Sequence, residues 1–426
     1  MTHLASRVPD PAVRRLTATL YGYAFLSDLV LLYPLYVMFF ADTGLSVGQI
    51  SSLFVVWSAA GILFEVPSGA WADVVSRRLL LCLAPLVTAA AFALWVLLPS
   101  YPSFAVGFLL WGAAGALVSG ALEALVWTEL DRLGAVGRYA RVLGRARTAG
   151  VLGVVFSGVL AGPVFAVGGY PLVGAASVLA CLLATVAATR FREHRPPAAD
   201  VPAERQPGTA APADPDDDGD LGWWDTLRAG VAQVRTRPPV RAAVLLVAVV
   251  AADWGALDEF TPLLALDIGV GAQAVPLLLL LLWAGVTVGG LLAPAGERLS
   301  HRGYAALLGL VGVALAGGAL LAHPAGFVLL AVAFGAAQLA TVLADARLQA
   351  RITGSSRATV TSMAGMATDV LIIGTYVFYG LLATAAGNAV AFAVTAGPYL
   401  VVGLVVLTRR RRTAAAPTAV AAHAPD

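Results

Sequence analysis

The stretch GAWADVVSRR, Gly69 to Arg78, has a degenerate second copy in APAGERLSHR, Ala293 to Arg302. Each follows a long apolar run, carries an acid at its fifth position (Asp73 or Glu297) and ends in Arg-Arg or His-Arg. The copies stand roughly half a chain apart, and a half-length repeat made of membrane-length apolar segments implies two homologous helical bundles facing each other across a pathway. Two further pairs extend the repeat at one shared offset. SGALEALV (Ser119 to Val126) aligns with FGAAQLAT (Phe334 to Thr341), and RTAG (Arg147 to Gly150) with SMAG (Ser362 to Gly365).

Composition points the same way. Apolar residues make up 59% of the 426 positions and charged residues 12%, too few charges to build a water-soluble surface, so lipid must solvate most of the exterior. A net charge of +2 gives no reason to expect a nucleic-acid partner. Every one of the 27 basic residues is arginine. Cys82 and Cys181 both fall in apolar runs and read as small buried hydrophobes rather than a disulfide. The run beginning at Leu16, behind Arg7, Arg14 and Arg15, is too long for a signal-peptide core and is expected to remain as the first span.

Runs of about 20 apolar residues occur at 16–41, 47–71, 79–99, 103–129, 144–167, 171–190, 240–266, 274–295, 304–322, 325–348, 364–386 and 389–408. The expected fold is therefore an all-α membrane protein of twelve transmembrane helices in two pseudo-symmetric six-helix bundles, 1–190 and 240–412. A cytoplasmic linker, 191–239, joins them, and a disordered tail, 413–426, follows. The connections alternate in charge. One set holds Arg77 and Arg78, then Arg132, Arg138, Arg141, Arg145 and Arg147, the linker, Arg298 and Arg302, and Arg347, Arg351 and Arg357. The opposite set, around Thr43, Pro102, Gly169, Gly271, Pro324 and Gly387, has no arginine. The positive-inside rule puts the first set and both termini in the cytoplasm of a cell whose inner membrane the chain spans. Within the linker, the acidic run DPDDDGD (Asp214 to Asp220) reads as a solvated, disordered spacer. GWWDTLRAGVAQVRTRP (Gly222 to Pro238) reads as an amphipathic helix at the cytoplasmic leaflet.

The opening stretch resembles the loop signature of the major facilitator superfamily between its second and third helices. Gly69, Ala72, Asp73, Arg77 and Arg78 match, while Trp71, Val74 and Ser76 stand where leucine, arginine and glycine are usual. FEVPSG (Phe64 to Gly69), and SGALEAL followed by Glu129 and Asp131, are similar to an efflux-type subset carrying a Glu-x-Pro-Ser-Gly-x-x-Ala-Asp signature. The resemblance implies a cytoplasmic latch of Gly69, Asp73, Arg77 and Arg78, with Asp73 facing the start of span eleven near Thr361 to Gly365 and Arg77 supporting it. It also implies alternating-access transport, first as proton-coupled efflux of amphipathic or cationic compounds by an antiporter of the multidrug-resistance kind. Two antiport signatures are altered. Phe108 fills the slot four residues before Gly112 where an arginine is usual, and Ala166 replaces the glycine expected after Gly158, Gly162 and Pro163. Proton-coupled uptake of a metabolite by symport therefore stands as the alternative, with a non-transporting membrane sensor as a third reading.

A carboxyl group inside the hydrocarbon region costs about 2.5–3.5 kcal/mol on insertion scales and so marks function. Asp28 falls midway along span one and Asp253 midway along span seven. Asp258 and Glu259 lie farther toward the outside, Glu65 and Glu123 near cytoplasmic ends, and Asp369 in the cytoplasmic half of span eleven. Asp28, Asp253, Glu123, Glu65, Asp258 and Glu259 are the candidates for binding substrate or protons. No arginine is expected deep within a span, so these acids should meet protons, cavity water or a cationic substrate. Aromatic residues nearby, Tyr33, Trp57, Trp95, Trp111, Trp127, Trp254 and Trp283, offer stacking and cation–π surface. There is no phosphate-binding loop, nucleophile motif or ligand-spaced Cys/His cluster, so neither an enzyme nor a bound cofactor or metal is expected. The expected partners are a small-molecule substrate, protons and membrane lipid, with the protein acting as a monomer.

Overall fold

The computed structural model describes residues 11–194, 223–352 and 357–414, with the side chains at 65–74, 223–227, 229–230, 358 and 409–414 outside the described set. Within the expected linker a helix covers Trp223–Thr236 and packs on neighbouring helices of the second part of the chain. The acidic spacer and the tail beyond 414 lie outside the described residues.

The described residues form an all-α, multi-spanning bundle. In chain order the helices are α1 (Pro11–Asp28), α2 (Tyr36–Asp42), α3 (Val47–Val74), α4 (Arg77–Leu97), α5 (Tyr101–Val118), α6 (Ala121–Arg132) and α7 (Tyr139–Ala188). They continue with α8 (Trp223–Thr236), α9 (Pro238–Asp258), α10 (Thr261–Asp267), α11 (Val275–Leu291), α12 (Ala293–Gly296), α13 (His301–Leu320), α14 (Gly326–Gln349), α15 (Arg357–Ala386), α16 (Asn388–Thr395) and α17 (Gly397–Ala414). In lipid every backbone polar group must be satisfied within the protein, so uninterrupted apolar runs become helices. Large apolar side chains such as Leu97, Val167 and Leu291 face outward, the inverse of a soluble surface.

Among the described residues nine helices are long and apolar enough to cross a membrane, and α11 is a shorter apolar one. Several expected spans are interrupted, each at glycine or proline. The first breaks between α1 and α2, just ahead of Pro34. The seventh breaks between α9 and α10, where Pro262 opens the new helix. The fourth breaks between α5 and α6, where Gly120 takes φ +73°, a left-handed conformation that glycine adopts without Cβ strain. Spans five and six run together as α7, with non-helical geometry at Gly168 and Gly169.

The unwound backbone at 29–35 is rescued by two serines from α7. The Ser157 hydroxyl donates to the Val30 carbonyl (2.5 Å), and the Leu32 amide donates to Ser177 Oγ (3.0 Å). The two repeated stretches also fold alike locally. Ser76 caps α4 by accepting from the Leu79 amide, and Ser300 caps α13 by accepting from the Gly303 amide, each at 3.2 Å. Small residues allow close helix approach. Gly150 and Gly153 of α7 lie against α1, and Gly285 and Gly289 of α11 lie against Ala331 and Gly335 of α14.

Candidate functional site

Three cavities converge on Trp111 of α5. The largest, about 540 Å³, lies among α3, α5, α9 and α15 and is lined by Trp57, Gly61, Ser119, Glu259, Asp369 and Tyr376. The second, about 210 Å³, is bounded by Tyr33, Tyr36, Asp258, Glu259, Pro262 and Trp283. The third, about 340 Å³, sits within the first part of the chain and is lined by Asp28, Tyr33, Thr88, Glu123 and Arg147, with contributions from α4 and α5.

The helix interruptions deliver these side chains. Tyr33 stands in the turn between α1 and α2, and Glu259 caps the C-terminus of α9, so both lie where the backbone leaves helical geometry at depth. Trp111 stacks on Tyr33 (ring centroids 5.3 Å apart), on Trp57 (5.0 Å) and on Phe108 (6.0 Å). The Tyr36 hydroxyl donates to the Glu259 carboxylate, joining residues from the two parts of the chain. Trp283 Nε1 donates to Asp258 Oδ2 at 3.4 Å. Flat aromatic walls beside two carboxylates suit a planar or cationic organic ligand. No arginine lines the two cavities shared by both parts of the chain, among the described residues.

Packing between the two parts of the chain is found at the end carrying the arginine-free loops. Gly48 of α3 lies against Thr384 of α15, Ser51 against Gly380, and Gly162 of α7 against the Gln273 carbonyl. At the opposite end of α3 and α4 the first part is clamped to itself. The Arg77 guanidinium donates to the Ala124 carbonyl (3.2 Å) and Thr128 Oγ1 (3.1 Å), while the backbone amides of Arg77 and Arg78 donate to the Glu193 carboxylate. Nearby, buried Glu129 pairs with Arg132 and accepts from the His194 amide and ring.

The expected acids therefore separate. Asp258 and Glu259 meet in the cavities shared by both parts, whereas Asp28 and Glu123 meet in the cavity of the first part. Asp253 is buried, accepts from Thr375 Oγ1 at 3.1 Å and lines none of the three cavities. The side chains of Glu65 and Asp73, and the surroundings of Gly69, lie outside the described set, and with them the latch contact to span eleven. Arg147, grouped by sequence with the loop arginines, lies on α7, is exposed, and lines the same cavity as Asp28 and Glu123. Its place inside the fifth apolar run, within the repeated RTAG, was the available signal. Trp95 and Trp254 serve packing and hydrogen bonds to Phe104 and Thr341, and Trp127 is exposed. Among the described residues no group of His, Cys, Asp and Glu side chains could hold a metal.

A family model described as Major Facilitator Superfamily matches residues 18–322. The match is to the superfamily as a whole and singles out no efflux subset. Solved structures share the fold at low identity. A nucleoside transporter, NupG, aligns with TM-score 0.68 and 13% identity over 94% of this chain and 100% of its own. A bacterial homolog of the human lysosomal transporter Spinster, in an inward-facing and occupied conformation, aligns with TM-score 0.66 and 15% identity over 96% and 98%. A D-xylose–proton symporter aligns with TM-score 0.59 and 14% identity over 92% and 96%. Among curated proteins, none matches the chain in sequence.

Proposed function

The chain belongs to the Major Facilitator Superfamily, and from that premise we propose that it is a secondary-active carrier that takes up a small organic solute with protons by alternating access. The observation that carries this reading is the aromatic and carboxylate-lined space around Trp111, built jointly by residues before and after the linker. In this reading twelve crossings form two six-helix halves, 1–190 and 240–412. α7 crosses twice around Gly168 and Gly169, the interrupted α1–α2 makes the first crossing, and the short α11 makes another. The arginine-bearing loops and both termini face the cytoplasm of the inner membrane. Contacts at the arginine-free end between α3 and α15 then form the closed outer gate of an inward-facing state.

Trp57, Trp111 and Tyr376 cover the apolar face of a bound solute. Protons are handled by the junction carboxyls, Asp258 and Glu259. Asp253 tightens the α9–α15 contact through Thr375. Phe108 and Ala166, in place of the arginine and glycine of antiport signatures, favour uptake over efflux. The proton-symporting relative with the same fold is consistent with that direction.

The test uses proteoliposomes with a pH-sensitive dye inside and a panel of organic metabolites outside. A symported solute acidifies the lumen on addition, and replacing Asp258 and Glu259 by Asn and Gln abolishes the signal. Alkalinisation instead would restore the efflux antiport reading. Solute uptake with no pH change would remove proton coupling.

A further inference from the structure

Three charged side chains line the cavity of the N-terminal half, and among the described residues none of them forms an ion pair. Asp28 ends α1, Glu123 lies in the first turn of α6, and Arg147 lies on α7 one turn ahead of Gly150. Gly150 has no side chain where the Asp28 carboxylate sits, so the acid is cradled against bare backbone. The ion pairs of Arg132 and His194 with Glu129 lie elsewhere, and no hydrogen bond from another described residue engages Asp28, Glu123 or Arg147. Charges that line a cavity of a membrane-spanning bundle without pairing mark a ligand or ion pathway. These three are held open in a space of about 340 Å³, within the range of small-molecule pockets.

Two carboxylates disfavour a simple anion, and the guanidinium beside them disfavours a simple cation. A molecule with a separate ammonium and carboxylate satisfies both. We propose that this cavity binds a zwitterionic organic solute. Its cationic end lies at Asp28 and Glu123, and its anionic end lies on Arg147, whose planar fork takes a carboxylate in two parallel hydrogen bonds. Tyr33 and Trp111, which line this cavity and also the neighbouring cavities at the junction, receive the apolar remainder of the solute. The inference deepens the carrier reading and rests on it by naming the class of solute carried.

The probes are L-amino acids with aliphatic, aromatic and polar side chains, each with its methyl ester (cation only) and its N-acetyl derivative (anion only). Binding is measured on the purified full chain by isothermal calorimetry and by thermal shift. At least one free amino acid should bind about 10-fold or more tightly than either blocked form, the size expected for losing one charge-assisted contact. Arg147→Gln should erase the preference over the ester while leaving ester binding intact. Asp28→Asn should erase the preference over the N-acetyl form, with Glu123→Gln as a second acid variant should Asp28→Asn fold poorly. Equal binding of free and esterified forms, or no binding by any free amino acid, overturns the proposal. Uptake of the same probes is measured separately. An ester carried in preference to its amino acid refutes the zwitterion site and leaves the carrier standing, whereas binding without any uptake refutes the carrier and leaves the site standing.

Discussion

Gly150 and Gly153 sit one turn apart on the same face of α7, both against α1, yet a methyl group added at each should have different consequences. At Gly150 the new Cβ would run into Asp28 Oδ2, the free end of a short side chain, with Asp28 Cγ at 3.5 Å and the Ala24 carbonyl at 3.8 Å. The carboxylate must withdraw by about 1 Å to reach ordinary contact, and a ~30° turn about its side-chain torsion supplies that for about 0.5–1.5 kcal/mol. At Gly153 the obstacles are all backbone: the Phe25 carbonyl oxygen, then Asp28 C and Leu29 N at 3.2 Å. Rotation relieves none of these, so α1 and α7 must part, an overpacking cost of about 1–3 kcal/mol or more. Gly150→Ala should therefore unfold in detergent close to wild type while moving Asp28 out of register with Glu123 and Arg147. Gly153→Ala should lose clearly more thermal stability. Thermal unfolding of both variants, with solute uptake for Gly150→Ala, reads the difference. Equal destabilisation by the two, or a Gly153→Ala protein indistinguishable from wild type, would refute the packing argument.

Trp111→Ala should abolish uptake, because the indole borders all three cavities and its loss removes three stacked partners worth about 0.5–1.5 kcal/mol each; a variant with wild-type uptake would move the solute elsewhere. Ser177→Ala strips the partner from the Leu32 amide in the unwound turn, at a cost of about 1–3 kcal/mol for a buried unpaired donor. Denaturant unfolding of that variant should show it, and an unchanged midpoint would mean that the turn finds another acceptor. Gly48→Cys with Thr384→Cys should form a disulfide across the α3–α15 contact, since a Cβ at Gly48 lies 3.4 Å from Thr384 Oγ1. Uptake should stop on oxidation and return with reductant, and activity persisting in the cross-linked protein would show that this contact need not open.

The class of fold was legible because lipid imposes it. Apolar runs, arginine-rich loops alternating with arginine-free ones, and the repeat of Gly69–Arg78 in Ala293–Arg302 all follow from span length and loop charge. The interruptions were less visible, since hydropathy averages over Leu29 to Tyr36 and over Glu259 to Thr261, but Pro34, Gly120 and Pro262 marked them. What sequence could not settle is which face of a helix turns inward, as that depends on contacts between distant elements. Asp253 and Asp258 are little more than one turn apart on the same stretch of chain, yet one packs against Thr375 and the other lines a cavity. The cavity-lining place of Arg147 was hidden for the same reason, since a position near a helix end says nothing about whether its side chain borders a cavity.

The central claim is that the space around Trp111 opens to alternate sides as the contacts between the halves break and re-form. It is tested most directly by labelling a single cysteine placed at Ser58, which lines the largest cavity, with Cys82 and Cys181 replaced, in oriented membrane vesicles. A membrane-impermeant maleimide should reach it from either side in the freely cycling protein. With the α3–α15 contact cross-linked through positions 48 and 384, it should react only from the side of the arginine-bearing loops. Labelling from the opposite side that persists unchanged under the cross-link would contradict the account.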